Sequence, residues 1–308
     1  MSVGDQIKRR RFELKMSQQE LADAMGYKTR STIAKIESGE NDVSQKKLQR
    51  FARVLDTTPE ALISGYGPVV TEDTENLQGK HTVVILAGGK SGRNRQNIPS
   101  QFISVHGKPI LVYCMEVYQK HPAIGDIYVV CLRGWENIVR AYADEYGITK
   151  LRDIVPAGAT GMASLKNGLR QVRSLHRKDG LVMVQEATRP MVTAETVSRL
   201  LQAAAEKGSA TICHSMDEYV QFVISGSHAR YIDRNAVIAL QSPEAHRLSL
   251  MEEVFRKAEA GNHPLDESCF TMLMHHLGYK INFIESTINN IKITREEDLA
   301  AFSTLTLD

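Results

Sequence analysis

At 308 residues, with 42% apolar and 24% charged side chains, the chain is long enough for about two domains, each burying a core. That composition excludes disorder as the main state, and no apolar run approaches the roughly 18 residues of a membrane span. The formal charge of +2 is unevenly split, because residues 1–66 carry 12 Lys and Arg against 9 Asp and Glu, leaving 26 against 27 for the rest. A polyanionic partner is therefore expected at the head.

Residues 1–66 read as short helices joined by tight turns. Ile7, Arg11 and Leu14 are spaced for one face of a first helix over residues 4–15. Ser17 and Glu20 form a capping box that opens a second helix, which Gly26 closes. A third starts at Thr29 or Arg30 and ends at Gly39; Ser44 caps a fourth, and Thr58-Pro59 opens a fifth. Ala22, Ile33 and Ile36 supply the apolar seam between the second and third helices. From Gly65 to Lys80 the text turns polar and acidic and loses all period, so residues 67–80 read as a linker.

Strands and helices alternate over residues 81–308. HTVVIL at 81–86 is an apolar run suited to a parallel strand buried on both faces. Further strands are expected at 127–132, 153–155, 181–185 and 280–285, with helices between them. This pattern predicts an α/β fold, a doubly wound, mainly parallel sheet. Between Tyr219 and Ala239 the pieces shorten into a β-arm leaving that sheet. The basic N-terminus lacks a following apolar segment, so no secretory signal is expected. Cys114, Cys131, Cys213 and Cys269 lie far apart and are expected as free thiols of a cytoplasmic protein. His275 and His276 are adjacent and unsuited to chelation on a helix, and FTMLMHHLG reads as core packing.

The run MSQQELADAMGYKTRSTIAKIESGE resembles the lambda-repressor-like helix-turn-helix family. That resemblance implies binding to double-stranded DNA, with the second helix of the motif in the major groove. By position, Lys28, Thr29, Arg30, Ser31 and Thr32 would face the bases with Lys35 nearby, while Gln18 and Gln19 would touch phosphates. One head reads few base pairs, so a homodimer on a two-fold site is expected.

The first strand of the second domain runs into AGGKSGRNRQNIPSQF, a Gly-rich turn where an α/β sheet can bind phosphate. It is not a P-loop, because Val84 stands where that motif needs glycine, and GxGxxG is absent. The ordered set LAGG, PxQF, GKP, ASLKNGL, EATRP, IDRN, SPE and NIKIT resembles the CTP-using cytidylyltransferases of methylerythritol phosphate and ribitol phosphate. The resemblance implies a Rossmann-like sheet of the nucleotide-diphospho-sugar transferase type. It also implies transfer of CMP from CTP, carried with Mg²⁺, to a phosphorylated polyol or alcohol, with release of pyrophosphate.

Carried over by position, Ala87, Gly88 and Gly89 form the nucleotide loop, and Arg93 stabilises the polyphosphate. Gly158 and Ser164 contact cytosine and ribose or α-phosphate; Glu186 stands where the family has an aspartate; Arg189 buttresses that turn. Lys292 neutralises the transferring phosphate, and Arg234 on the arm reaches a partner's substrate phosphate across a homodimer. Five positions depart from the family pattern: Ser100 replaces a phosphate-binding lysine, Gly92 is shifted with Ser91 before it, Glu186 is lengthened, Gly161 replaces an arginine, and Glu218 replaces a threonine. Lys90 and Arg95 offer substitute charge from the same loop. Two functions follow from the resemblance: a cytidylyltransferase fused to a DNA-binding head, or a regulator whose degenerate cytidylyltransferase domain senses CTP or a related metabolite.

Overall fold

The structure, a computed structural model, describes residues 3–306 other than 15, 56, 58, 60–61, 63–80, 91–97, 176–178, 217–219, 227 and 287–289. The chain divides into two compact units, Met1–Thr71 and Glu72–Asp308. The expected linker and most of the expected fifth helix lie outside the described residues, although Leu62 is described and buried.

The head contains α1 (Val3–Glu13), α2 (Gln18–Ala24), α3 (Arg30–Glu37) and α4 (Gln45–Val54). The capping box at the start of α2 is complete: the Glu20 amide donates to Ser17 Oγ and the Ser17 amide donates to Glu20 Oε2 at 2.6 Å. Ala22, Ile33 and Ile36 are buried with Ile7, Leu21, Phe51 and Leu55 in one core. Leu14 departs from expectation. α1 ends at Glu13, and Leu14, past that end, is exposed. The face that Ile7 begins is continued instead by Arg11, which is buried and forms a two-bond fork with buried Glu37 at 2.6 and 3.0 Å. Arg11 Nη1 also donates to the Met16 carbonyl at 2.8 Å, and Gln18 Nε2 donates to Glu37 Oε2 at 2.9 Å. Both charges are therefore compensated inside a small core.

The second unit is built on a seven-stranded sheet. Its strands are β1 (His81–Ala87), β4 (Ile124–Cys131), β5 (Leu151–Pro156), β6 (Leu181–Glu186), β7 (Ser209–Ser215), β10 (Ile238–Arg247) and β11 (Phe283–Glu285). They lie in the order β11-β7-β10-β6-β1-β4-β5. All neighbours run parallel except at β10, which is antiparallel to both β6 and β7. Short β2 (Ser104–Val105) and β3 (Lys108–Pro109) pair separately, and β8 (Gln221–Ser225) with β9 (His228–Ile232) forms a detached ribbon.

Alternate residues of β1 point to opposite layers. Val83 and Ile85 join the core covered by α5 (Ile110–Lys120), α6 (Glu136–Glu145) and α8 (Ala194–Lys207). Val84 joins the core covered by α7 (Gly161–Leu175), α9 (Leu248–Ala260) and α10 (Phe270–His276). The chain closes with α11 (Glu296–Leu305). Phe270, Leu273 and Met274 of the Met-rich stretch are buried in the second of these cores.

Two sheet strands differ from the sequence reading. β7 had no apolar run to announce it, because Ser209, Thr211 and His214 alternate with Ala210, Ile212 and Cys213. Thr211 is nonetheless buried, its hydroxyl bonded to that of Thr271. β10 begins where the arm was expected to end and continues through Ser242-Pro243-Glu244 into the main sheet. A proline in mid-strand reads as a break, and the register with β7 does shift between Leu240 and Glu244. Glu244 is buried, and burial by itself would raise its pKa. His246 and Thr271 outweigh that and hold the carboxyl below the usual range.

Glu37→Ala leaves the Arg11 guanidinium buried without its carboxylate. The expected loss is about 3–5 kcal/mol of head stability, read as an earlier melting of the head's helical signal, with the second unit's transition unchanged.

Candidate active site

The C-terminal ends of β1, β4 and β6 lie side by side, with Ala87 opposite Cys131 and Leu86 opposite Glu186. Ala87-Gly88-Gly89 leaves the sheet there, at the edge where parallel α/β sheets receive ligands. Gln101, buried in the turn Ser100–Phe102, donates from Nε2 to the carbonyls of Ala87 at 2.8 Å and Gly89 at 3.2 Å. The carbonyls of Ala87 and Gly89 are thus held by the protein. Among the described residues nothing accepts from the Gly88 or Gly89 amide, so both are left to donate, as an anion requires.

Glycine is required by close approach. A Cβ on Gly88 would stand 2.5 Å from Ala157 Cβ, and one on Gly158 would stand 2.7 Å from Ala163 Cβ. The turn from β5 into α7 therefore packs directly on the loop. Ser164 Oγ accepts from the Gly158 amide at 3.0 Å and donates to the Thr160 carbonyl at 2.8 Å. Thr160 Oγ1 in turn accepts from the Ala163 amide and donates to the Leu265 carbonyl. Ser164 is buried, with its hydroxyl committed to this turn.

Glu186 ends β6 under two cations. Arg189 Nε donates to its Oε2 at 2.7 Å, and Lys292 Nζ donates to its Oε1. Arg189 Nη1 also reaches the Asn290 carbonyl at 2.8 Å. Asn290 is itself buried, and its Nδ2 bonds the Ser242 carbonyl at 2.8 Å and Gln241 Oε1 at 3.2 Å. The Glu186 amide donates to Ser242 Oγ at 3.0 Å. Burial alone would raise the Glu186 pKa. Lys292 and then Arg189 outweigh it, and the carboxyl stays below the usual carboxylate range.

This frame is shared with known proteins. Residues 81–306 match the family profile of 2-C-methyl-D-erythritol 4-phosphate cytidylyltransferase. The chain belongs to that family. A relative from Lacticaseibacillus paracasei named ribitol-5-phosphate cytidylyltransferase is 30% identical over 72% of this chain and 95% of its own. One from Syntrophus aciditrophicus named 2-C-methyl-D-erythritol 4-phosphate cytidylyltransferase is 29% identical over 72% of this chain and 94% of its own. The crystal structure of 4-diphosphocytidyl-2C-methyl-D-erythritol synthase from Anaerococcus prevotii has the same fold, with a TM-score of 0.65 at 18% identity. It covers 76% of this chain and 99% of that one. Residues 7–62 match a helix-turn-helix profile.

Within this cytidylyltransferase frame, Ala87 and Glu186 end β1 and β6, Gly88, Gly89, Gly158 and Arg189 follow strand ends, Ser164 lies at the start of α7, and Lys292 reaches Glu186 from the segment before α11. Arg93, Arg95, Ser91, Gly92 and Glu218 lie outside the described residues. Arg234 is exposed, in the turn Arg234–Ala236 between β9 and β10. Ser100 is buried, while a side chain at Gly161 would meet nothing within 4 Å.

In the head, Lys28, Thr29, Arg30, Ser31 and Lys35 are exposed and Thr32 is half-buried. Gln19 is exposed and bonds Asp23, and the Gln18 amide group is turned to Glu37. Gln101, Asn290 and Ser242 carry no role legible in the sequence. Each acts by holding backbone, and the only trace of this in the text was membership of PxQF, NIKIT and SPE.

A carboxyl held low in the fold stabilises above its unfolded pKa of about 4.3, and that contribution is lost as pH falls through the folded value. Glu186→Gln is therefore expected to lower the urea midpoint of the second unit at pH 7. The gap to the wild type should close as the pH is taken below about 4.

Proposed function

We propose that residues 81–306 transfer CMP from CTP to a phosphorylated polyol, with ribitol 5-phosphate as the first candidate, while the head holds the protein on double-stranded DNA in the cytoplasm. The observation that carries the reading is the pair of cations converging on Glu186 beside a loop whose Gly88 and Gly89 amides meet no acceptor among the described residues. The acceptor choice rests on the 30% identical relatives, which are named for ribitol 5-phosphate.

In the proposed reaction an acceptor phosphate oxygen attacks the α-phosphorus of CTP. The bond from that phosphorus to the bridging oxygen breaks, and pyrophosphate leaves with the electron pair. The Gly88 and Gly89 amides receive the triphosphate, with Arg93 adding charge by its match to the family motif. Gly158 and Ser164 shape the nucleoside side of the site, Ser164 through the turn it holds. Lys292 is placed to leave Glu186 for the transferring phosphate, and Arg189 keeps the carboxylate in position. Glu186, its carboxylate held in ionised form by Lys292 and Arg189, is the side chain that would face Mg²⁺ carried by the triphosphate. When bound, the ion supplies charge neutralisation to the phosphates.

The arm supports a homodimer. Its ribbon leaves Phe222 54%, Ile224 74% and Tyr231 52% exposed, and a lone two-stranded ribbon is marginal in water. A second copy would cover it, bring Arg234 towards a partner's acceptor and pair two heads for a two-fold DNA site.

The second reading, a regulator that senses CTP or a related metabolite without turnover, is favoured by one observation. Ser100, buried in the turn, stands where the family pattern has a lysine.

Pyrophosphate release from Mg²⁺ and CTP, assayed with ribitol 5-phosphate and with 2-C-methyl-D-erythritol 4-phosphate, decides between the two. Turnover with ribitol 5-phosphate is expected, and Lys292→Ala is expected to lower kcat about a hundredfold to a thousandfold. Calorimetric CTP binding with no pyrophosphate release in the presence of either acceptor would leave the regulator reading. For the head, Lys28→Ala with Arg30→Ala is expected to abolish a salt-sensitive gel shift on a selected two-fold site. An unchanged shift would overturn DNA recognition by α3.

A further inference from the structure

Helix α7 begins beside the nucleotide loop, and further along it packs against α9 around a cavity of about 290 Å³. Buried Leu169 and Phe255 line it, and none of its lining residues belongs to the loop or to the Glu186 cluster. Its volume is close to the lower end for small-molecule sites.

The charge around this apolar floor does not balance. Among the lining residues, Lys166, Arg170, Arg173 and Arg256 meet two carboxylates, Glu252 and Glu259, while Asp179 acts on Arg173 and Glu253 on Arg256 from outside the lining. Both lining acids are already taken: Arg173 grips Glu252 through Nε at 2.6 Å and through Nη2, and Lys166 pairs with Glu259. Arg170 and Arg256 are exposed and make no ion pair among the described residues. Glu253 on α9 feels the charge of Arg256, but its carboxylate is bonded to Lys257 at 2.8 Å and to Tyr279.

Lys166, Arg170 and Arg173 lie three and four residues apart on one helix face, a spacing at which like charges repel. Burial and then Arg170 lower the pKa of Lys166. The second unit as a whole has no cationic excess that would make such a cluster ordinary, since residues 67–308 hold 26 Lys and Arg against 27 Asp and Glu. Two guanidinium forks with no carboxylate bonded to them among the described residues, beside Leu169 and Phe255, match an oxyanion carried on an apolar or flat body, because guanidinium bonds phosphate oxygens bidentately.

We propose that the α7–α9 cavity is a second, non-catalytic binding site for a small organic phosphate. Its phosphate lies between Arg170 and Arg256, and its body lies on Leu169 and Phe255.

The probe is phenyl phosphate, titrated calorimetrically into the full chain, with inorganic phosphate and benzyl alcohol as controls. Saturable binding is expected, tighter than that of either control. Arg170→Gln with Arg256→Gln should weaken it by about tenfold or more. Lys292→Ala should leave it unchanged, which separates this site from the proposed catalytic one whether or not that one turns over. Should the double variant melt early, Arg170→Lys keeps the charge and loses the fork; a several-fold weakening supports the site. Equal affinity in the substituted proteins, loss of binding in Lys292→Ala, inorganic phosphate binding as tightly as phenyl phosphate, or no saturable heat would each overturn the proposal.

Discussion

Two backbone positions with no room for a Cβ set the geometry of the second unit's site. Gly88 lets the end of β1 touch Ala157 of the turn into α7, and Gly158 lets that turn close on Ala163 and Ser164 at the start of the helix. A side chain at Gly88 would force the loop away from the turn, and one at Gly158 would open the turn that Ser164 holds between Gly158 and Thr160. Gln101 completes the arrangement by taking the Ala87 and Gly89 carbonyls. A loop held by its carbonyls and flanked by a tight turn is pre-organised, so an arriving anion need not pay again for ordering it.

The same chain uses paired charge in two different ways. In the head, Arg11 and Glu37 are both buried and saturate one another, with Met16 and Gln18 taking further bonds. Nothing is left over for a ligand, and the pair serves the packing of α1 on α3. At the end of β6, Glu186 carries Arg189 and Lys292 together, so the group as a whole is cationic. Arg189 is tied down at Asn290, whereas Lys292 is exposed. The fixed cation orients the carboxylate, and the exposed one can exchange it for another anion at small cost in desolvation.

Much of this was legible in the text, and the failures have physical causes. HTVVIL announced β1 because both faces of a central parallel strand are apolar. β7 and β10 were hidden because their positions tolerate polar atoms that find partners: Thr211 bonds Thr271, and Glu244 accepts from the Phe270 and Thr271 amides at the start of α10. Spacing placed Arg11 on one face with Ile7, but its burial and its partner 26 residues away could not be read from helical spacing. At the candidate site, the glycines and charges were visible because those residue types stand out in the sequence. Gln101 and Asn290 were not, because a side chain that holds backbone leaves no periodic or electrostatic mark.

The family departures take on meaning when located. Ser100 is buried in the turn that carries Gln101, so its place is tied to the loop's support. Gly161 opens α7 with empty space before it, so removing an arginine there costs nothing in packing. Both changes subtract positive charge from the α7 and loop side. Among the described residues the charge that remains is Lys90 on the loop and the Arg189–Lys292 pair across β6. On the proposed reading, a triphosphate here leans more heavily on its own metal ion and on Lys292 than in relatives with a loop lysine. Lengthening the carboxylate from aspartate to Glu186 is consistent with that shift. A longer arm reaches both cations at once, holding Lys292 close to where the transferring phosphate is proposed to pass.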